Sequence, residues 1–187
     1  DMSVIGNMIY ADGYTGSCTG NGRIVFAGTT PQVIESKADF TLPGIGIKNA
    51  KGLTINHNLA VNKLLLSNGV ITMANETVLS LPDRTAVIES GSEYSFVDGY
   101  LARYAASGVS TKYYVGNKGR RGLTELTATD GGLWTVRYYN EGLTTAQVDQ
   151  IKSNLPAVQS VGGEHWTVQG PSASDPDDRG CRCRRRC

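Results

Sequence analysis

Three consecutive segments of the chain share one pattern: FTLPGIGIKNAKG (residues 40–52), LTINHNLAVNKLLLSNG (53–69) and VITMANETVLSLPDRTAVIESG (70–91). Each segment begins with an apolar–polar–apolar triplet, passes a polar turn, returns to apolar residues and ends at glycine. Alternation with period two, bounded by turn-forming residues, is typical of short strands. The segments are 13, 17 and 22 residues long, which suits single coils of a parallel β-solenoid.

This irregular repeat predicts that each strand stacks on its counterpart one coil later, while alternate side chains fill a narrow interior. Glycine and asparagine are expected at the corners, where a positive φ is needed. An antiparallel sandwich of the same strands is the alternative. The side chains expected to point inward are Phe40, Leu42, Ile45, Ile47, Leu53, Ile55, Leu59, Val61, Leu64, Leu66, Ile71, Met73, Val78 and Leu81.

Composition agrees with a turn-rich, all-β domain. Glycine accounts for 23 of 187 residues, and the charged share of 19% with a net charge of +1 argues against disorder. The longest aliphatic run, Leu64–Leu66, is far shorter than the roughly 20 residues of a membrane span. We therefore expect no membrane span. Acidic and basic residues are nearly balanced outside residues 175–187, so we do not expect nucleic acid as a partner.

The amino-acid composition changes at residue 99, where tyrosines become frequent and longer strands are expected to follow. We expect a lead-in at residues 1–21, solenoid coils at 22–98 and an antiparallel cap at 99–174. A cap is needed because the end of a solenoid exposes strand edges and apolar interior. One short helix is expected at 144–155, with Thr144 and Gln147 forming a capping box and Val148, Ile151 and Leu155 on one face.

Residues 175–187 form a tail rich in arginine and cysteine, for which we expect disorder. Too few cysteines are present for a disulfide scaffold, and the spacing does not match a zinc site. A disulfide or reactive thiols stay open as alternatives for the four cysteines, which are Cys18, Cys181, Cys183 and Cys187. The N-terminus carries no signal peptide, which leaves open whether one was removed.

Several stretches together resemble secreted surface proteins of the Bacteroidetes type, in which β-solenoid coils are followed by characteristic strands. The coil motifs are GLTIN (residues 52–56) and NGVIT (68–72), and the strands are YSFVDGYLAR (94–103), YYVGNKG (113–119), WTVRYY (134–139) and HWTVQGPS (165–172). The resemblance covers most of residues 20–174 as an ordered set. It implies cargo of the type IX secretion route, located outside the cell or on its surface. The tail departs from the family pattern, which suggests truncation before a sorting domain.

The chain carries none of the common hydrolase, phosphate-binding or zinc-protease motifs, so we expect no enzyme, no cofactor and no metal site. The resemblance implies a non-enzymatic module for adhesion, ligand binding or assembly, with glycans, other surface proteins or self-association through the solenoid ends. The alternative is a fragment of a β-helix polysaccharide lyase or hydrolase. That reading requires a groove lined by two carboxylates or by an Arg/Lys pair. The basic cluster visible in the sequence consists of Lys112, Lys118, Arg120 and Arg121.

Aromatic residues of the cap region are the best candidates for a binding surface, because tyrosine and tryptophan stack on sugar rings and anchor interfaces. Packing inside the cap is the competing interpretation of the same residues. The candidate ligand-binding residues are Tyr100, Tyr104, Tyr113, Tyr139 and Trp166.

Overall fold

Strands make up 54% of the chain in the computed structural model, which describes residues 1–9, 18–90, 92–154, 163–171 and 182–184. The first sheet contains, in spatial order, β1 (Met2–Val4), β3 (Ile24–Phe26), β5 (Phe40–Lys48), β7 (Leu59–Asn68), β9 (Val78–Leu81), β12 (Tyr100–Ala105), β17 (Gly132–Tyr139) and β18 (His165–Gln169), with β10 (Val87–Ser90) joined to β7 beside this path.

Two smaller sheets complete the strand inventory. The second sheet contains β15 (Arg120–Arg121), β14 (Val115–Asn117), β11 (Phe96–Asp98), β8 (Val70–Met73), β6 (Leu53–Ile55), β4 (Gln32–Glu35) and β2 (Met8–Ile9). The third contains β13 (Ser110–Tyr113), β16 (Thr124–Thr127) and β19 (Arg182–Arg184). The described helical elements are a 3₁₀ turn (Ala74–Glu76) and α1 (Thr145–Asn154).

Neighbouring strands are parallel from β1 to β12 in the first sheet and from β2 to β14 in the second. In β6, for example, Leu53 lies opposite Gln32 of the preceding coil and Ile71 of the following one. The chain is therefore a parallel β-solenoid of about 5 turns, as predicted, and not an antiparallel sandwich. The stack is longer than the repeat alone indicated, because β1 and β2 already pair in parallel with β3 and β4.

The solenoid interior is filled by alternate side chains of both sheets. All but one of the predicted inward residues are buried; the exception is Val78, which is half-buried. Leu79 takes its place, since Leu79 and Leu81 lie two residues apart on one face of β9 and both are fully buried. Val78 and Leu81 are three residues apart, so strand alternation places them on opposite faces.

Glycine and asparagine occupy the corners, as predicted. Gly69 has φ +106°, and a Cβ at this position would lie 1.9 Å from the carbonyl oxygen of Asn49 in the coil below. Asn49 is itself buried, and its amide donates to the carbonyl of Thr30 (2.7 Å) and to Gln32 Oε1 (3.0 Å). Stacked corners therefore satisfy each other's buried polar groups and leave no space for a side chain at Gly69.

One strand of the stack has a partner on one side only. Strand β10 pairs in parallel with the second half of β7, with Val87 opposite Lys63, and no described strand pairs with its other edge. Strand β13 is the counterpart of β10 in the next coil, because it follows β12 as β10 follows β9. It pairs with β16 and not with β10. The coil stack therefore contains a step beside β10.

The cap forms where the first sheet changes from parallel to antiparallel pairing. Strand β17 lies antiparallel to both β12 and β18, with Val136 opposite Leu101 and Val168. Trp134 and Tyr138 on β17 are buried, which agrees with the prediction that the cap shares the solenoid core. Strands β14 and β15 form a tight hairpin, whose turn residues Lys118 and Gly119 have φ of +50° and +78°.

Helix α1 begins with the predicted capping box. Thr144 Oγ1 accepts from the backbone N–H of Gln147 (3.4 Å), while Gln147 Oε1 accepts from the backbone N–H of Thr144 (2.9 Å). Val148 is half-buried, and its described neighbours on the helix are exposed. The side chain of Ile151 and the whole of Leu155 lie outside the described residues, so the predicted packing of this helix face stays a prediction.

The structure describes the backbone of Arg182–Arg184 within the tail, where β19 pairs antiparallel with β16. The other tail residues lie outside the described part of the chain, and for them disorder stays a prediction.

Candidate functional site

The structure separates the five candidate aromatic residues into surface and core. Tyr100 and Tyr139 meet on the outer face of the first sheet, with 3.5 Å between their hydroxyl oxygens. Tyr104 lies apart from them in a cleft. Tyr113 is fully buried, so it belongs to the core and presents no surface to a ligand. Trp166 is half-buried and packs 5.1 Å from the ring of Tyr138.

Hydrogen bonds explain why Tyr113 and Trp166 turn inward. The Tyr113 hydroxyl donates to the carbonyls of Trp134 (3.2 Å) and Arg103 (3.3 Å), which ties β13 to the cap. Trp166 Nε1 donates to the carbonyl of Gly122 (2.9 Å). Each ring is thus held by the polar group at its end, as is usual for tyrosine and tryptophan in a core. The alternative that aromatic residues fill the cap is correct for these two.

Four side chains form what we call the outer aromatic row: Tyr100, Arg137, Tyr139 and His165. The guanidinium carbon of Arg137 lies 4.8 Å from the Tyr100 ring centre and 4.7 Å from that of Tyr139. On Tyr139 the His165 ring stacks at 4.6 Å with an interplanar angle of 8°. Burial, and then the hydroxyl of Tyr100, raise the pKa of Tyr139 above its ordinary value.

The members of the outer aromatic row contact one another and a neighbouring carboxylate. Arg137 also forms an ion pair with Glu76 (3.2 Å), which links the cap to the coil stack. The rings of Tyr100 and Tyr139 already contact a cation, and His165 stacks on Tyr139. The row therefore stabilises the outer face of the sheet through cation–π contacts more than it offers free aromatic surface.

The surface holds a concavity of about 520 Å³, which we call the basic cleft. It lies at the step beside β10, between that strand and β12 and β13. Its volume falls within the range of ligand pockets, about 300–1,000 Å³. The lining residues are Arg84, Ile88, Arg103, Tyr104, Ala106, Val109, Ser110, Thr111, Lys112 and Tyr114.

A sharp turn after β12 creates the basic cleft. Gly108 adopts φ +72°, and its N–H donates to the carbonyl of Ala128 (2.9 Å), while Val109 N–H donates to the carbonyl of Ala106 (3.2 Å). The turn directs β13 toward β16 and away from β10. Strands of two successive coils therefore border one space, and their side chains converge in it.

Cations dominate the electrostatics of the basic cleft. Its lining contains two arginines and one lysine but no carboxylate. Lys112 Nζ lies 3.6 Å from Glu125 Oε1, so the lysine has a counterion at the rim. Within the described part of the chain, no ion pair is formed by Arg84 or Arg103.

The two arginines are nevertheless held in place. Arg103 Nη1 donates to the carbonyl of Lys112 (2.8 Å), and the Arg84 guanidinium lies 4.9 Å from the ring centre of Tyr104. Burial lowers the pKa of Arg103 from its ordinary value, against the opposing effect of Tyr113 and Tyr114. Arg103 is thus a partly desolvated cation, whereas Arg84 is exposed.

Sequence reasoning found Tyr104 and Lys112 in this cleft but missed Arg84, Arg103 and Tyr114. Arg84 lies on one coil, and Arg103 and Tyr114 lie on the next, so no local motif connects all three residues. The basic cluster seen in the sequence is divided by the fold: Lys112 enters the cleft, whereas Lys118 pairs with Glu141, Arg120 with Glu164 (3.1 Å), and Arg121 lies over the ring of Tyr114 (5.6 Å).

Cys18 is exposed and has a free thiol. The side chain of Cys183, and all of Cys181 and Cys187, lie outside the described residues, so pairing or reactivity of these thiols stays a prediction. No group of three His, Cys, Asp or Glu side chains suited to a metal ion occurs in the described ranges.

Within the same ranges, no helix has the length and apolar character needed to cross a bilayer. Comparisons of the chain with protein-family models, with curated proteins and with solved structures found no match, so the fold and the basic cleft stand on their own geometry.

Proposed function

We propose that the chain is a non-enzymatic ligand-binding module of an extracellular or cell-surface protein, and that it binds glycans in the basic cleft. The observation that carries this proposal is the convergence of two tyrosine rings with cationic side chains in one concave site on a solenoid. Strands of stacked coils are rigid supports, and a site built on them needs little ordering when a ligand binds.

The chemistry of the basic cleft suits a sugar. Aromatic rings provide faces for the apolar side of a pyranose, and guanidinium groups donate paired hydrogen bonds to its oxygens. Tyr104 and Tyr114 supply the rings. Arg84 lies over Tyr104 and Arg121 over Tyr114, so in this proposal the sugar contacts the parts of the rings that the two arginines leave uncovered.

Binding is tested by titrating purified protein with a panel of oligosaccharides and repeating the measurement with Tyr104→Ala. We expect saturable binding that falls at least tenfold in this variant. Tyr94→Ala is the matched control, because Tyr94 is 72% exposed and does not line the cleft. Equal losses in both variants, or no binding to any member of the panel, would contradict the proposal.

Export by the type IX route and a position on the cell surface are part of the same proposal. They are supported by the ordered resemblance of residues 20–174 to secreted surface proteins. Protease treatment of intact cells that express the complete gene is the test, because a surface protein is cleaved while cytoplasmic markers stay intact. Protection of the protein until the cells are lysed would contradict a surface location.

Self-association through the solenoid ends also remains a proposal. At the N-terminal end, β1 and β2 each have a described partner on one side, and the nearby Ile5 and Ile9 are 80% and 74% exposed. An apparent mass that rises with protein concentration in sedimentation, and falls in Ile9→Lys, is the expected result. A monomer at all concentrations would exclude this mode.

A polysaccharide lyase is the second candidate, because the basic cleft contains the Arg/Lys combination that this alternative requires. In such a reaction, cations neutralise a sugar carboxylate while a base removes the neighbouring proton. A two-carboxylate hydrolase is less well supported, since neither an acid nor a base of that kind is among the described lining residues. Unsaturated products that accumulate with wild-type protein but not with Lys112→Ala would favour the lyase.

A further inference from the structure

The arginines of the basic cleft lack a negative partner in the described structure. Lys112 is paired with Glu125, which also accepts from Ser110 Oγ (3.0 Å), but no carboxylate pairs with Arg84 or Arg103. Removing a cation from water is unfavourable unless an anion or several acceptors compensate for the loss. Within the described residues the Arg103 guanidinium has one acceptor, the carbonyl of Lys112, and so it retains unused donors beside the cavity.

We propose that the ligand of the basic cleft is an acidic saccharide, whose carboxylate or sulfate group is bound by Arg84 and Arg103. This inference rests on the proposed glycan binding and adds the class of the glycan. A guanidinium group binds a carboxylate, or two oxygens of a sulfate, with two parallel hydrogen bonds, which an ammonium group does not.

The surroundings of the arginine pair favour a sugar as the carrier of the anion. Tyr104 and Tyr114 line the same cavity, so a ring that bears the acidic group meets aromatic surface as well as charge. Val109 and Ile88 add apolar surface, and Val109 is 54% exposed, which leaves it available for contact. A cavity of about 520 Å³ has room for a short oligosaccharide segment.

The fold keeps the anion site separate from the other cations of the chain. Lys118 and Arg120 are on the β14–β15 hairpin, where Glu141 and Glu164 neutralise them. Arg137 pairs with Glu76 in the outer aromatic row. Lys118, Arg120 and Arg137 thus have carboxylate partners, whereas Arg84 and Arg103 form no ion pair within the described residues and are available to an anion.

The test compares three probes by calorimetry: a galacturonate hexamer, a sulfated galactan oligomer and neutral maltohexaose. We expect an acidic probe to bind at least tenfold more tightly than maltohexaose, and its affinity to fall as salt is raised. Preference for the first or second probe identifies carboxylate or sulfate as the natural group. Arg84→Gln should weaken binding of the acidic probe about tenfold while binding of maltohexaose is unchanged.

Controls separate loss of the site from loss of the fold. Arg84 is exposed, so Arg84→Gln should retain the wild-type melting temperature. Arg103→Lys is a second control, because it keeps the positive charge but loses the guanidinium group that donates two parallel hydrogen bonds. Lys118→Gln removes the same charge outside the cleft and should leave affinity unchanged. Equal binding of neutral and acidic probes overturns this proposal and leaves glycan binding intact. Binding of none of the probes overturns the acidic-saccharide proposal, and failure across the wider oligosaccharide panel overturns glycan binding itself.

Discussion

The coil stack and the cap solve the same packing problem with different side chains. In the stack, aliphatic residues such as Ile45, Ile47 and Leu64 are fully buried, and each faces a similar residue one coil away. In the cap, the buried side chains include the large rings of Tyr113 and Tyr138, each with a polar group that needs a partner. Repetition therefore stabilises the stack, whereas individual hydrogen bonds fix the cap.

Removing the cap should have the largest effect on the molecule. A chain ending at Leu101 lacks β17, which pairs with β12, and exposes the end of the coil core. We expect this fragment to aggregate without a cooperative melting transition. A chain ending at Ser174 serves as the control and should melt within about 4 °C of the full chain. A soluble 1–101 fragment that melts cooperatively would show that the stack does not depend on the cap.

A corner substitution should damage the stack severely. Gly69→Ala forces a Cβ onto the carbonyl oxygen of Asn49 and a residue with a side chain into φ +106°. We expect a loss of about 3 kcal/mol or more in the free energy of unfolding, measured with urea. Gly108→Ala in the cap is the matched control, since Gly108 has φ +72° with open space around it and should lose only about 1 kcal/mol. Similar losses in both variants would mean that stacking at the corner does not matter.

A single hydroxyl should measure how strongly the cap relies on its polar groups. Tyr113→Phe keeps the buried ring but leaves the carbonyl of Trp134 without this donor. We expect a loss of about 1 kcal/mol in unfolding free energy. Tyr94→Phe, at an exposed position, should change nothing measurable. If both variants match the wild type, the hydrogen bonds of Tyr113 do not contribute to the cap.

Acidification should give the smallest effect, and it should act through the cap hairpin. The hydrogen bond and the positive charge of Lys118 hold the pKa of Glu141 below its ordinary 4.5. A lowered folded-state pKa stabilises the protein above pH 4.5, and this contribution disappears as the pH falls through the folded value. Melting temperatures of wild type and Lys118→Gln should therefore converge below pH 4.5. A constant difference across that range would show that Glu141 is not the partner that matters.

The irregular repeat did not place the coil boundaries, since Phe40 pairs with Leu59 and not with Leu53, where the second segment begins. Alternation of apolar and polar residues did predict the parallel stack, and it assigned nearly all inward residues. It failed at Val78. In the sequence VLSL, either Val78 or the pair Leu79 and Leu81 could be assigned to the inward face, and the structure buries the two leucines. The predicted capping box of Thr144 and Gln147 is local, and it is present.

The basic cleft was beyond such reasoning, because its members are neighbours only across coils. Arg84 and Arg103 are on different coils, and the distance between coils in space is not visible in the sequence. The frequency of aromatic residues indicated both Tyr104 and Tyr113 as ligand-binding residues, but Tyr113 is buried. Whether a tyrosine is buried depends on the partner of its hydroxyl, which the sequence does not show. Charge density likewise pointed to the β14–β15 hairpin, where each cation already has a neighbour.

The step beside β10 has a consequence for how such a protein changes over time. Coil length varies: Leu53 pairs with Ile71, 18 residues further along the chain, whereas Val70 pairs with Phe96, 26 residues further, and this longer coil is the one that adds β10. Lengthening a single coil thus adds a strand that forms the step, with the basic cleft next to it, while the preceding coils keep their strand register. A gene that gains or loses a few codons in one coil can therefore move or reshape a surface cleft without changes in the core. Coil length, rather than the identity of the core residues, then determines where this architecture carries a concave surface.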